Sequence, residues 1–103
     1  MAYTQDEALE LARSFLITAA KKYRVHAAYL FGSYAKGIPK EYSDIDLSII
    51  IPIKRFYKES VNIFHEAQEF NSLLEVICFR KDEFDNNDMP LVTKIKKEGI
   101  KIV

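Results

Sequence analysis

The chain has 103 residues, 49% hydrophobic and 13% aromatic, enough to bury one core and too few for two, so one domain over 1–103 is expected. That apolar content excludes a disordered chain. Fifteen basic residues balance fifteen acidic ones, so the overall field provides no basic face for wrapping a nucleic-acid duplex, and direct nucleic-acid binding is not expected.

No run approaches the ~20 apolar residues of a membrane span, and Met1 to Glu10 is acidic rather than basic-then-apolar. A cytoplasmic location without membrane attachment is therefore expected. The single cysteine, Cys78, has no internal disulfide partner and sits in the apolar run Leu73 to Phe79, which reads as a buried structural thiol.

Thr4-Gln5-Asp6-Glu7 has the pattern of a capping box, in which Thr4 accepts the amide of Glu7 and Glu7 reaches back. A first helix over Gln5–Arg24 follows, with an apolar stripe at Leu9, Ala12, Phe15 or Leu16, Ala19 and Tyr23. Lys21, Lys22 and Arg24 would then complement the negative end of its dipole. Val25 to Phe31 reads as a buried strand that leaves Gly32-Ser33 at its C-terminal end. Ser33 to Ser43 is a polar loop, broken by Gly37 and Pro39, with room for one helical turn over Ser33–Lys36.

Asp44 to Ile51 is a β-branched strand closed by Pro52, which has no amide to donate. Arg55 to Phe70 places Phe56, Tyr57, Ser60, Val61, Ile63, Phe64, Ala67 and Phe70 at helical spacing; the rings are assigned mostly to core packing, and the alternative is a mixed aromatic and charged surface, including Tyr57 and Phe64, that serves a partner contact. Leu73–Phe79 is the third strand, and Arg80 to Asp88 is a polar excursion with at most a turn of helix. Pro90 to Glu98 is a short helix between an initiating proline and Gly99 as C-cap, and Ile100–Val103 can add a terminal strand. The order of elements describes an α/β or α+β fold, a small mixed sheet covered by helices.

Side chains two apart in a strand share a face, so Asp44 and Asp46 project together with Cα atoms about 6.5 to 7 Å apart. Each opposes the other's ionisation unless a cation compensates, and converging carboxylate oxygens suit Mg²⁺. Gly32 lets the backbone approach a ligand closely, its neighbours' amides can face phosphate oxygens, and Ser33 supplies a hydroxyl. Glu75 lies in the otherwise apolar third strand, on the alternating face of Ile77 and Phe79, and an acid there needs a partner. If that strand neighbours the second, Glu75 joins Asp44 and Asp46 to hold one or two Mg²⁺ ions. The alternatives are a basic partner or an exposed edge position. His26, on the first strand, and His65, on a helix surface, read as structural or solvated.

Phe31-Gly32-Ser33-Tyr34-Ala35-Lys36-Gly37, the ten residues Tyr34 to Ser43, and Ser43-Asp44-Ile45-Asp46-Leu47 resemble the signature of the DNA polymerase beta superfamily of nucleotidyltransferases. They are most similar to its minimal (MNT) members. The resemblance implies a nucleotidyltransferase fold, with Asp44, Asp46 and Glu75 as metal-binding and catalytic carboxylates and Gly32 and Ser33 on the triphosphate of the incoming nucleotide. Lys36 stands where the pattern often has arginine, and Glu75 where it usually has aspartate; Lys36 would offer a phosphate a point charge without bidentate geometry.

The implied reaction moves a nucleoside monophosphate, AMP from ATP, to an acceptor hydroxyl with Mg²⁺. Resemblance to MNT antitoxins further implies a tyrosine of a HEPN-family toxin as acceptor. Two other readings stand beside it: a partner-binding module of the same fold without turnover, and nucleotidylation of a small-molecule hydroxyl by a homo-oligomer.

Overall fold

The computed structural model describes residues 3–40, 43–87 and 89–103. Helix α1 (Gln5–Ala20) opens on the expected capping box: the Thr4 hydroxyl accepts from the Glu7 amide at 3.1 Å, and the Glu7 carboxylate accepts from the Thr4 amide at 2.8 Å. It buries Ala8, Leu9, Ala12, Phe15, Leu16 and Ala19. The helix stops four residues short of Arg24, and no basic residue lies in its last turn. A tertiary contact takes the residues expected to finish it, because Lys22 pairs with Glu66 at 2.6 Å and the Tyr23 hydroxyl donates to the same carboxylate.

Strand β1 (Ala27–Phe31) is followed by the one-turn helix α2 (Gly32–Ala35), strand β2 (Ile45–Ile51) and helix α3 (Phe56–Phe70). His26 precedes β1 and is exposed rather than part of a core strand, although its amide extends the ladder to the Ile50 carbonyl at 2.8 Å. Strand β3 (Leu74–Arg80) leads into α4 (Lys81–Asn86), α5 (Pro90–Glu98) and β4 (Ile100–Lys101). Most of the polar excursion thus folds as α4, while Asp88 lies outside the described residues. Helix α5 has the expected bounds. Gly99 is its C-cap, with extended backbone, and has no room for a side chain, since a Cβ there would come 2.5 Å from the Ile95 carbonyl oxygen and 3.1 Å from that of Leu30.

The four strands form one mixed sheet in the order β3-β2-β1-β4. β1 is antiparallel to β2 and β4, and β2 is parallel to β3. A parallel pair needs a crossover, which α3 supplies. Alternation along β2 then sorts the sheet into two faces. Leu30, Ile45, Leu47, Ile49, Ile51, Leu74 and Val76 are buried with α1 and α3 in the main core. Ile50 and Phe79 face the other way, packed with Phe84 of α4 and with Val92 and Ile95 of α5. Asp46 and Glu75 lie on this second face, where Glu75 and Ile77 are exposed. The second layer therefore leaves one corner of the sheet uncovered, and both carboxylates stand there.

Cys78 is half-buried against the main core, and burial pushes its thiol up to about 12. It stays protonated at neutral pH, and the thiolate is the reactive form. A disulfide reagent at pH 7.5 should therefore label Cys78 far more slowly in the native protein than in denaturant; equal rates would contradict this burial.

Candidate active site at the glycine turn

Phe31, the last residue of β1, pairs with Asp46 across the antiparallel ladder, so the turn that follows begins beside that carboxylate. Gly32 has φ +75°, in the left-handed region that favours glycine. Space makes a second demand: a Cβ on Gly32 would overlap Oδ2 of Asp46 and lie 3.1 Å from its Cγ. No other residue type allows Asp46 to rest against the backbone here.

The turn is held from below. Tyr34, at the centre of α2, is 1% exposed, and its hydroxyl accepts from the Tyr3 amide at 3.1 Å. The Gln5 side-chain amide donates to the carbonyls of Tyr34 at 2.9 Å and Ala35 at 3.2 Å, tying the end of α2 to the start of α1. Sequence reasoning missed these two positioning residues, because nothing local to either signals a contact across about thirty positions. No side chain caps the first turn of α2, and among the described residues the half-buried Ser33 hydroxyl makes no hydrogen bond. The Ser33 hydroxyl is thus not consumed by the fold, whereas the carbonyls of Gly32 and Ser33 accept from the Lys36 and Ile38 amides.

The third carboxylate stands where the sequence places it if β3 neighbours β2. Asp46 and Glu75 are register partners on adjacent parallel strands, which run about 4.8 Å apart. Asp44 precedes β2 by one residue and is exposed. The electrostatics record the crowding. Burial, and then the Asp44 charge, raise the Asp46 carboxyl above its ordinary range. A hydrogen bond with Asp44, burial, and the charges of Asp44 and Asp46 raise Glu75. Among the described residues none of the three pairs with a lysine or arginine.

Among the described residues no three His, Cys, Asp or Glu side chains gather as tightly as a metal site requires. The pairwise electrostatics nonetheless put Glu75 with Asp44, while Asp46 turns toward Gly32. The three acids crowd at one corner, each close enough to a neighbour for its charge to be felt. As a donor set, hard oxygens without a counter-cation fit Mg²⁺.

Lys36 caps α2, and its ammonium lies 3.6 Å from Glu98 of α5, an ion pair about two-fifths exposed at each end and so of little energetic weight. The pair borders a cleft of about 140 Å³ between α2 and α5, lined also by Phe31, Gly32, Leu91, Lys94 and Ile95. Gly32 is thus a shared wall, with Asp46 against it and the lysine cleft beside it. Lys94 is the second cation there.

The polymerase beta nucleotidyltransferase family matches residues 15–103. Among solved structures, a protein from Sulfolobus solfataricus described as a nucleotidyltransferase superposes with TM-score 0.66 at 19% identity, over 94% of this chain and 80% of that one. A protein described as a minimal nucleotidyltransferase gives 0.62 at 21%, over 91% and 95%. A toxin-antitoxin crystallised with AMP-PNP gives 0.61 at 16%, over 85% and 69%. At these identities the likeness is one of fold. No curated protein matches the sequence.

Gly32→Ala should destabilise the protein by about 1–3 kcal/mol, from left-handed strain and displacement of Asp46. Urea unfolding measures this, and an unchanged midpoint would show that the turn does not need glycine.

Proposed function

Because the chain belongs to the polymerase beta nucleotidyltransferase family, we propose that it transfers AMP from ATP to a protein hydroxyl, a tyrosine of a HEPN-family toxin, and so acts as an antitoxin. The observation that carries the transferase reading is the contact between Gly32 and Asp46, which puts a backbone turn suited to phosphate against a carboxylate suited to a metal. The toxin acceptor draws its support from resemblance to MNT antitoxins and from the toxin-antitoxin among the structural neighbours.

In this reading Asp44, Asp46 and Glu75 hold one or two Mg²⁺ ions, which when bound offset the triphosphate charge and stabilise the charge that develops during transfer. Ser33 and the amides of the α2 turn hold the phosphates, with Lys36 and Lys94 placed to neutralise the outgoing end. The acceptor oxygen attacks the α-phosphorus, an O–P bond forms, and the bond to the bridging oxygen breaks to release pyrophosphate. The acceptor proton passes to Glu75.

The purified chain, incubated with a HEPN-type partner, ATP and Mg²⁺, should add one adenylate mass to a tyrosine of that partner. Asp44→Asn and Asp46→Asn should each slow this on the order of a hundredfold or more. Absence of any adenylate on the partner would sink the acceptor assignment, and full activity of both variants would sink the site.

A stability readout carries a sign of its own. The fold raises the pKa of Asp46, so it disfavours the ionised form, and stability falls as pH rises through that pKa. Asp46→Asn should therefore raise the melting temperature in metal-free buffer while abolishing stabilisation by ATP with Mg²⁺. A lowered melting temperature would show Asp46 to be a structural anchor.

A further inference from the structure

Helix α3 carries an unpartnered face on the layer opposite the carboxylates. It buries Ile63 and Ala67 inward, but Tyr57, Val61 and Phe64 are 82%, 42% and 41% exposed. Spacings of four and three residues line these up along one side of the helix. The expectation that core packing accounts for these rings is therefore corrected: α3 has more apolar positions than one inward stripe can bury.

The edge of this stripe is charged in a definite order. Lys58 and Glu69, eleven residues apart, fall within about 20° of each other on the helical wheel, the base near the N-terminus and the acid near the C-terminus. Both are exposed, and among the described residues neither is in an ion pair. Glu66 is excluded from this edge because Lys22 and Tyr23 engage it on the other side of the helix.

We propose that this face docks a second copy of the chain, with the two α3 helices antiparallel about a twofold axis near Asn62 and Ile63. Reversal makes the stripe self-complementary, since Val61 then meets the partner's Phe64 and the reverse. The same operation keeps this edge of both helices on one side of the pair and sets Lys58 of each copy beside the partner's Glu69, whereas a parallel twofold would carry the two edges to opposite sides and leave these charges unpaired. The charge order therefore selects a second copy in one orientation. A single helix face is smaller than the roughly 800 Å² per partner of a standard interface, so the dimer is weak and concentration-dependent. Asp46 and Glu75, on the other face of the sheet, stay accessible in it.

Sedimentation equilibrium at low salt tests this. The 12.0 kDa chain should approach twice that mass as concentration rises into the hundred-micromolar range. Phe64→Glu should remain monomeric. Lys58→Glu and Glu69→Lys should each weaken dimerisation roughly tenfold, and the double exchange should return to within about threefold of the wild type. These charge variants keep the test valid if Phe64→Glu fails to fold. A wild-type chain that stays monomeric, or a double exchange no better than either single, overturns the proposal. So does a monomeric wild type whose Phe64→Glu variant loses a protein acceptor, since the face would then belong to that acceptor.

Discussion

The Asp46 carboxylate resting where a side chain on Gly32 would stand is the contact on which the rest of the site depends. It requires glycine at the end of β1, a left-handed backbone there, and an acid opposite Phe31 in the ladder. Each demand is local, but they are met together only because β1 and β2 pair in one register. A one-residue slip would turn Asp46 toward the main core and Leu47 toward solvent. Leu47, Ile49 and Ile51, all fully buried, therefore fix the site by fixing the register. Tyr34 and Gln5 do the same for the turn, anchoring it to the core and to the start of α1.

The uncovered corner has an electrostatic character of its own. Asp44, Asp46 and Glu75 are crowded enough to raise two of their carboxyls, and the fold gives them no basic partner among the described residues. A like-charge cluster without compensation opposes folding, and such arrangements gather at functional sites because a ligand relieves them. The lysine cleft behind Gly32 supplies the opposite sign a short way along the same surface. Acid on one side of a glycine and base on the other suits a ligand that brings both a cation and phosphates.

Much of this was legible in the sequence where a residue type has one structural meaning. Pro90 and Gly99 bracket α5 at its observed ends, Pro52 closes β2, and Thr4 with Glu7 starts α1. Alternation puts Asp44 with Asp46 on one strand and Glu75 with Phe79 on another, and bringing the two sets together depends on the neighbouring of β3 and β2, which the sheet supplies. What stayed hidden depends on distant partners. Lys22 and Tyr23 leave α1 for Glu66, Gln5 reaches α2, and Lys94 reaches the cleft of Gly32. Helical periodicity alone does not tell which apolar side of α3 faces inward, so the choice for Tyr57 and Phe64 between core and contact surface waits on the structure, which exposes both. Gly99 caps α5 as its place in the sequence suggests, while the tight space beside Leu30 and Ile95 has no local signal.

The proposed function makes the glycine turn and the carboxylate corner one metal-nucleotide site. Substoichiometric Mn²⁺ with a non-hydrolysable ATP analogue, followed in ¹H–¹⁵N spectra, tests it most directly. The amide signals of Gly32, Ser33, Asp44, Asp46 and Glu75 should broaden first and together, and those of Asp82 and Asp85 on α4 should persist. Broadening centred on α4, or spread evenly over the acidic surface, would contradict the claim.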